Sequence, residues 1–117
     1  MAVSETEGDI KVVIDPALDM NVEGYKLEVT PQVINVTAKT PAGLFYGMQT
    51  VLQLLPAEVE SKSVVKTDWT LPCVTIEDAP RFAYRGVHLD PCRHFMTVEE
   101  TKRQIDVMAM LKMNRMH

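Results

Sequence analysis

A strand that leads straight into a capped helix, close to the C-terminal end, is the feature that most constrains the fold of this chain. Arg85, Val87 and Leu89 point one way and Gly86, His88 and Asp90 the other, the period of two of an extended segment, and Pro91 ends it. Thr97-Val98-Glu99-Glu100 then forms a capping box, with the threonine oxygen accepting from the N3 amide while Glu100 reaches back to the cap's own N–H. Acids in the first turn, and Lys112 near the last, also suit the helix dipole. Between Ile105 and Met113 this helix is apolar nearly all round, and such a helix is normally covered on more than one side. The segment 84–117 therefore expects neighbours. Without them an apolar patch on the order of several hundred Å² stays exposed, and self-association, domain swapping or a frayed end is predicted.

The earlier part of the chain reads as a small α+β unit. Ile10–Ile14 is β-branched and bounded by Asp15-Pro16, which suits a strand ending in a turn. Tyr25, Leu27 and Val29 alternate with Lys26 and Glu28, and Ile34, Val36 and Ala38 alternate with Asn35, Thr37 and Lys39. Each is a half-buried strand, and Pro31 fixes the loop of the hairpin between them. A helix begins with Thr40 as N-cap and Pro41 in the first turn, where a missing N–H costs nothing. Its stripe of Leu44, Phe45, Met48, Val51, Leu52 and Leu55 is expected to be core against the sheet, and Pro56 stops it. Gly43 and Gly47, four apart, clear one line of the helix for close approach of another backbone. The polar stretch from Ala57 to Thr70 predicts a surface loop with Trp69 packed at its end. Pro72–Ile76 returns to strand character, and Glu77-Asp78-Ala79-Pro80 is expected to be a hinge, dividing the chain into domains 1–79 and 80–117.

Composition narrows the function classes. A chain of 117 residues with 46% hydrophobic content can fill one core. A net charge of −4 with interspersed signs gives no footprint for nucleic acid. No stretch reaches the length of a membrane span, and Met1–Glu7 lacks the basic and apolar regions of a leader. Cys73 and Cys92 are too few for a disulfide framework and read as two unpaired thiols; a bridge between them, across the domain boundary, is the alternative.

Several words of the sequence carry a family resemblance. Arg81-Phe82-Ala83-Tyr84-Arg85-Gly86, then Leu89-Asp90, then Arg93-His94-Phe95, then a Met-rich helix ending in Leu111-Lys112-Met113-Asn114-Arg115-Met116-His117, closely resembles the entry to the catalytic barrel of glycoside hydrolase family 20, the β-N-acetylhexosaminidases. Gly24-Tyr25-Lys26-Leu27 and the run from Thr40 to Leu55 resemble the small domain that precedes that barrel. The words span residues 24–117. The resemblance implies an α+β fold, a small antiparallel sheet packed by a helix, followed by an isolated first strand and helix of a truncated TIM barrel. A complete barrel takes about 250 residues, far more than lie between Tyr84 and His117.

The resemblance further implies release of terminal N-acetylhexosamine from glycans by substrate-assisted catalysis, without metal or organic cofactor, in a parent exported to the periplasm, cell surface or lysosome. In that chemistry the substrate's own 2-acetamido oxygen is the nucleophile and an adjacent Asp-Glu pair assists, one of the exceptions to the two-carboxylate scheme. No Asp-Glu dipeptide occurs here, so the chain is expected to hold no catalytic residue and to be inactive alone. A stand-alone α+β interaction module is the alternative reading. An intact carbohydrate-binding protein ranks below both, since Tyr25, Tyr46, Trp69 and Tyr84 form no clustered platform.

Arg85 is the one candidate for substrate binding. The resemblance implies that it grips ring hydroxyls of the terminal sugar, and a planar guanidinium with several fixed donors suits vicinal hydroxyl oxygens. An ion pair with Asp90, Glu77 or Asp78 is the competing role. Asp90, Arg93 and His94 are expected to support the site, Asp90 by positioning the other two. His88, Asp90, Cys92 and His94 are all metal-ligand types, but their spacing matches no zinc pattern, and no metal is expected. His117 is read as a residue that would continue into a next strand.

Overall fold

The computed structural model describes residues 9–117, so the reading of Met1–Glu7 lies outside the described residues. These residues fall into two compact units, one ending at Ala79 and the other beginning at Pro80. The fold is α+β.

In the first unit, β1 (Ile10–Ile14), β2 (Tyr25–Val29), β3 (Ile34–Ala38) and β4 (Val74–Asp78) form one sheet in the order β1-β3-β2-β4. β2 pairs antiparallel with both β3 and β4, while β1 runs parallel to β3 at the edge. Period-two patterning explains β2 directly: Tyr25, Leu27 and Val29 are buried and Lys26 and Glu28 are exposed. On the outer face the exposed residues meet their cross-strand partners, Lys26 with Glu77 at 3.3 Å and Glu28 with the amide of Asn35 at 3.3 Å. The hairpin loop is closed by Thr30 as well as by Pro31. Thr30 Oγ1 accepts from the amides of Gln32 and Val33 and donates to the Val33 carbonyl.

α1 (Pro41–Leu54) starts as expected, with Thr40 Oγ1 accepting from the Gly43 amide. It ends because Leu55 precedes Pro56: steric exclusion of the helical region before proline puts Leu55 at ψ 156°. Its buried face differs from the expected stripe. Gly43, Tyr46, Gly47, Thr50 and Val51 are buried, whereas Phe45 and Leu52 are 45% and 43% exposed. Closeness of the backbones is the physical reason. A β-carbon on Gly43 would lie 2.2 Å from the Gly24 carbonyl oxygen, and one on Gly47 would lie 2.5 Å from Val36 Cγ1. The helix rests on the sheet along its glycine line, and Leu44 and Met48 flank the core. Leu27 and Val36 are fully buried there, each contributing roughly 1.5–3 kcal/mol of apolar burial.

A short 3₁₀ turn at Ala57–Glu60 precedes the exposed loop. Trp69 does not pack at its end but is 52% exposed; Leu71, two residues on, packs against the core instead. The expected hinge also narrows. Glu77 and Asp78 belong to β4, opposite Lys26 and Tyr25, and the Tyr25 hydroxyl donates to Asp78 Oδ2 at 2.8 Å.

The second unit is a β/α/β arrangement: β5 (Gly86–Val87), α2 (Val98–Met110) and β6 (Arg115–Met116). The strand expected to stand alone thus has a parallel partner, and the ladder runs on as the Leu89 amide donates to the His117 carbonyl at 2.8 Å. The capping box is complete, with the Thr97 amide donating to Glu100 Oε2 at 2.7 Å and the Glu100 amide to Thr97 Oγ1 at 3.2 Å. The Thr97 hydroxyl also donates to Glu100 Oε2 at 2.9 Å, and the backbone N–H and then the side chain of Thr97 hold the Glu100 carboxyl below its ordinary value.

α2 stops at Met110, short of the apolar run's end at Met113. Lys112 adopts a left-handed φ of 55°, its amide donates to the Ala109 carbonyl and the Met113 amide to the Met108 carbonyl. That is a Schellman termination with lysine in the usual glycine position. Lys112 therefore lies just beyond the last turn of α2. On α2, Met108 is buried while Ile105 and Met110 are exposed, as is Leu111 just past its end.

Candidate functional site

The chemistry-bearing residues of the second unit lie at the two ends of β5, Arg85 just before it and Asp90, Arg93 and His94 in the loop that follows it. Arg85 immediately precedes β5 and is half-buried. Its Nε donates to the Lys112 carbonyl at 2.8 Å and its Nη1 to the Phe82 carbonyl at 2.7 Å. Its backbone is held as firmly, the amide donating to Asn114 Oδ1 at 3.1 Å and the carbonyl accepting from the amides of Asn114 and Arg115. Asn114 also donates from Nδ2 to the Ala83 carbonyl at 2.9 Å. With Nε and Nη1 tied to fixed carbonyls, the guanidinium plane is set by the protein.

Asp90 organises the loop after the strand. Its Oδ2 pairs with Arg93 Nε, its Oδ1 accepts from the Arg93 amide at 3.3 Å, and its carbonyl accepts from the His94 amide at 3.2 Å. The fold thus brings Asp90, Arg93 and the backbone of His94 together, with the His94 side chain on the exposed surface. The four metal-ligand types do not converge: His88 faces His117 and Asp90 faces Arg93. Among the described residues, no three His, Cys, Asp or Glu side chains could hold a metal ion. Cys73 and Cys92 are free and exposed.

Two features escaped the sequence reading. His88 and His117 approach with their Nδ1 atoms 2.9 Å apart, because each follows the last residue of a strand in a parallel pair. Asn114 was quoted only as part of a motif, yet it touches the candidate arginine at both backbone groups. A parallel register between Gly86-Val87 and Arg115-Met116 would have revealed both, but strands of two residues leave no periodic signal.

Comparison with known proteins gives a consistent result. Residues 2–79 match the family description "Glycosyl hydrolase family 20, domain 2", and residues 82–117 match "Glycosyl hydrolase family 20, catalytic domain". A beta-hexosaminidase of Porphyromonas gingivalis is 51% identical over 108 residues, which cover 92% of this chain and 14% of that protein. The family 20 beta-N-acetylhexosaminidase of Streptomyces coelicolor A3(2) superposes with a TM-score of 0.90 at 42% identity, over 97% of this chain and 23% of that one. The family 20 exo beta-N-acetylglucosaminidase of Vibrio harveyi, solved with N-acetylglucosamine, gives 0.79 at 37% identity, over 94% and 16%. The chain spans less than a quarter of the length of each of these relatives.

Proposed function

From membership of glycosyl hydrolase family 20, to which this chain belongs, we propose that it forms part of a β-N-acetylhexosaminidase that releases terminal N-acetylhexosamine from glycans. One observation carries the reading: domain 2 and the catalytic domain match consecutive stretches, 2–79 and 82–117, in the family's order. The same bounds, with the division at Ala79 and Pro80, support domains 1–79 and 80–117.

Arg85 is the substrate-binding residue. Its guanidinium is oriented before any sugar arrives, which lowers the ordering cost of fixed donors meeting vicinal hydroxyls. Asp90, Arg93 and His94 support the loop that follows β5. The 117 residues hold no Asp-Glu pair, so as an isolated polypeptide they release no aminosugar. That polypeptide instead self-associates, by contact or by domain swapping, through the apolar side chains of 84–117, with Ile105 and Leu111 among the exposed ones.

The test is hydrolysis of a chromogenic N-acetylhexosaminide by the full-length protein and its Arg85→Ala variant. Losing hydrogen bonds from a charged donor lowers kcat/KM by roughly 10²-fold. Full activity in the variant removes Arg85 from the site, and no activity in the full-length protein on any N-acetylhexosaminide overturns the functional reading. Size-exclusion chromatography of the 117-residue chain across a concentration series tests self-association, which a monomer at all concentrations would refute.

A further inference from the structure

We propose that His88 and His117 form a two-imidazole site for an exchangeable divalent cation of the zinc type, which clips β5 to β6. The cation acts on the stability of the second unit and has no part in hydrolysis, so the inference is independent of the functional reading above.

The backbone sets the pair. The His117 amide donates to the Val87 carbonyl at 2.9 Å and the Leu89 amide donates to the His117 carbonyl at 2.8 Å, so His117 is bonded to the residues on either side of His88. In a parallel ladder this pattern makes the two histidines direct cross-strand neighbours, with both side chains on one face of strands about 4.8 Å apart. The ring centroids lie 4.8 Å apart with the planes 56° from each other, and the Nδ1 atoms are 2.9 Å apart. Both residues are exposed, so a hydrated cation can reach them.

As a hydrogen bond, this contact needs one neutral ring with its proton on Nδ1 and one with its proton on Nε2. With both protons on Nε2, two lone pairs face the same gap. Nitrogens bound to one zinc at about 2.0–2.1 Å, with roughly 90–109° between the bonds, stand about 3.0–3.4 Å apart. A small rotation of two exposed rings supplies the difference. Imidazole also selects the class of cation, since it suits zinc and copper(II) whereas magnesium and calcium prefer oxygen ligands. No third His, Cys, Asp or Glu joins the pair among the described residues. Water therefore completes the shell, and the metal exchanges more readily than in the three- and four-ligand sites of zinc proteins. Because only the folded strands hold both rings in register, the cation draws the opening equilibrium of the second unit toward the closed form.

The experiment is a titration of the 117-residue chain with zinc chloride, followed by calorimetry and by the ¹⁵N resonances of the histidine rings. One zinc per chain is expected, with the Nδ1 signals of His88 and His117 shifting together and those of His94 unmoved. Amide exchange at Leu89 and His117 should slow on the order of 10²-fold once free zinc reaches about 100 times its Kd. His88→Gln and His117→Gln should each weaken binding on the order of 10²-fold, because the second imidazole binds intramolecularly. His94→Gln and Cys92→Ser should bind as the unaltered chain does. Absence of binding would overturn the proposal, as would binding that survives both histidine substitutions and is lost with His94→Gln or Cys92→Ser. One zinc per two chains would overturn it too, since the metal would then bridge copies. Should a histidine variant lose the fold of the second unit, the ring resonances of the unaltered chain decide alone: both Nδ1 signals must move with zinc, and a shift of only one, or of neither, refutes the site.

Discussion

Lys112 holds a left-handed φ of 55°, where a β-carbon crowds the following carbonyl at a cost of roughly 1–2 kcal/mol. Lys112 is bonded through its backbone, its amide donating to the Ala109 carbonyl and its carbonyl accepting from Arg85 Nε, while the second Schellman bond is made by the Met113 amide. Lys112→Gly is therefore expected to stabilise the second unit by about 1 kcal/mol, read as slower amide exchange at Met113. A destabilised variant would show that the lysine side chain matters more than the backbone strain. Glu100 gives a second residue-scale expectation, in pH. Because its carboxyl is held below the ordinary 4.5, the charged form favours the folded state. Its contribution is complete above pH 4.5 and is lost as pH falls through the lower folded value. Amide exchange in the first turn of α2 should accelerate over that acid range, and Glu100→Gln should remove the part owed to this carboxylate. An acid response identical in the two proteins would exclude the capping box as its source.

At the scale of elements, the seat of α1 on the sheet depends on the absence of side chains. Gly43→Ala gains about 1 kcal/mol of helix propensity but drives a methyl to 2.2 Å from a backbone oxygen, whereas at Gly47 the nearest atom belongs to the Val36 side chain. Overpacking costs about 1–3 kcal/mol, and backbone yields less than a side chain, so in urea unfolding Gly43→Ala is expected to lose more stability than Gly47→Ala. The reverse order would mean that the chain at Gly24 gives way easily. The Tyr25 hydroxyl, 2.6 Å from Thr50 Oγ1 and bonded to Asp78, joins α1, β2 and β4. Tyr25→Phe is expected to cost about 1–3 kcal/mol by the same measurement, and a neutral result would show that water replaces the hydroxyl. These elements also show what a sequence discloses. Tyr25–Val29 and Ile34–Ala38 were legible to the residue because alternation is the direct imprint of a half-buried strand, and α1 because Thr40-Pro41 announces a start. The buried face of α1 was not, since hydrophobicity ranks Phe45 and Leu52 above Gly43 and Thr50 while contact depends on how near two backbones come. Glu77 and Asp78 read as part of a hinge because their partners, Lys26 and Tyr25, are some fifty residues away. Arg85 was legible as a candidate through its motif, whereas Asn114 was not, its bond to the Arg85 amide spanning 29 positions.

At the scale of the whole molecule, the two units differ in how much core each possesses. The first has a continuous cluster that includes Tyr25, Leu27, Val36, Ala38, Tyr46 and Val51. In the second, from Pro80 to His117, Met108 is the buried hydrophobic among the described residues, and Phe82, Phe95, Val98 and Leu111 are exposed. That unit is just under the roughly 40 residues below which a domain usually needs a disulfide, a metal or association to stay folded. Its one cysteine, Cys92, is free and cross-links nothing. Capping and the Asn114 bonds define the shape of such a unit without supplying much burial, so its opening free energy should be small. In dilute solution of the 117-residue polypeptide, amides of α2 and of β5 and β6 are therefore expected to exchange with solvent far sooner than those of β2 and β3. In the full-length protein of the proposed function, the same amides should be protected, because more apolar surface is then available to cover Ile105, Met110 and Leu111. Equal protection of both units in the short polypeptide would show that the capped helix and its two-residue strands hold themselves together, and that the exposed apolar side chains are no sign of a missing neighbour.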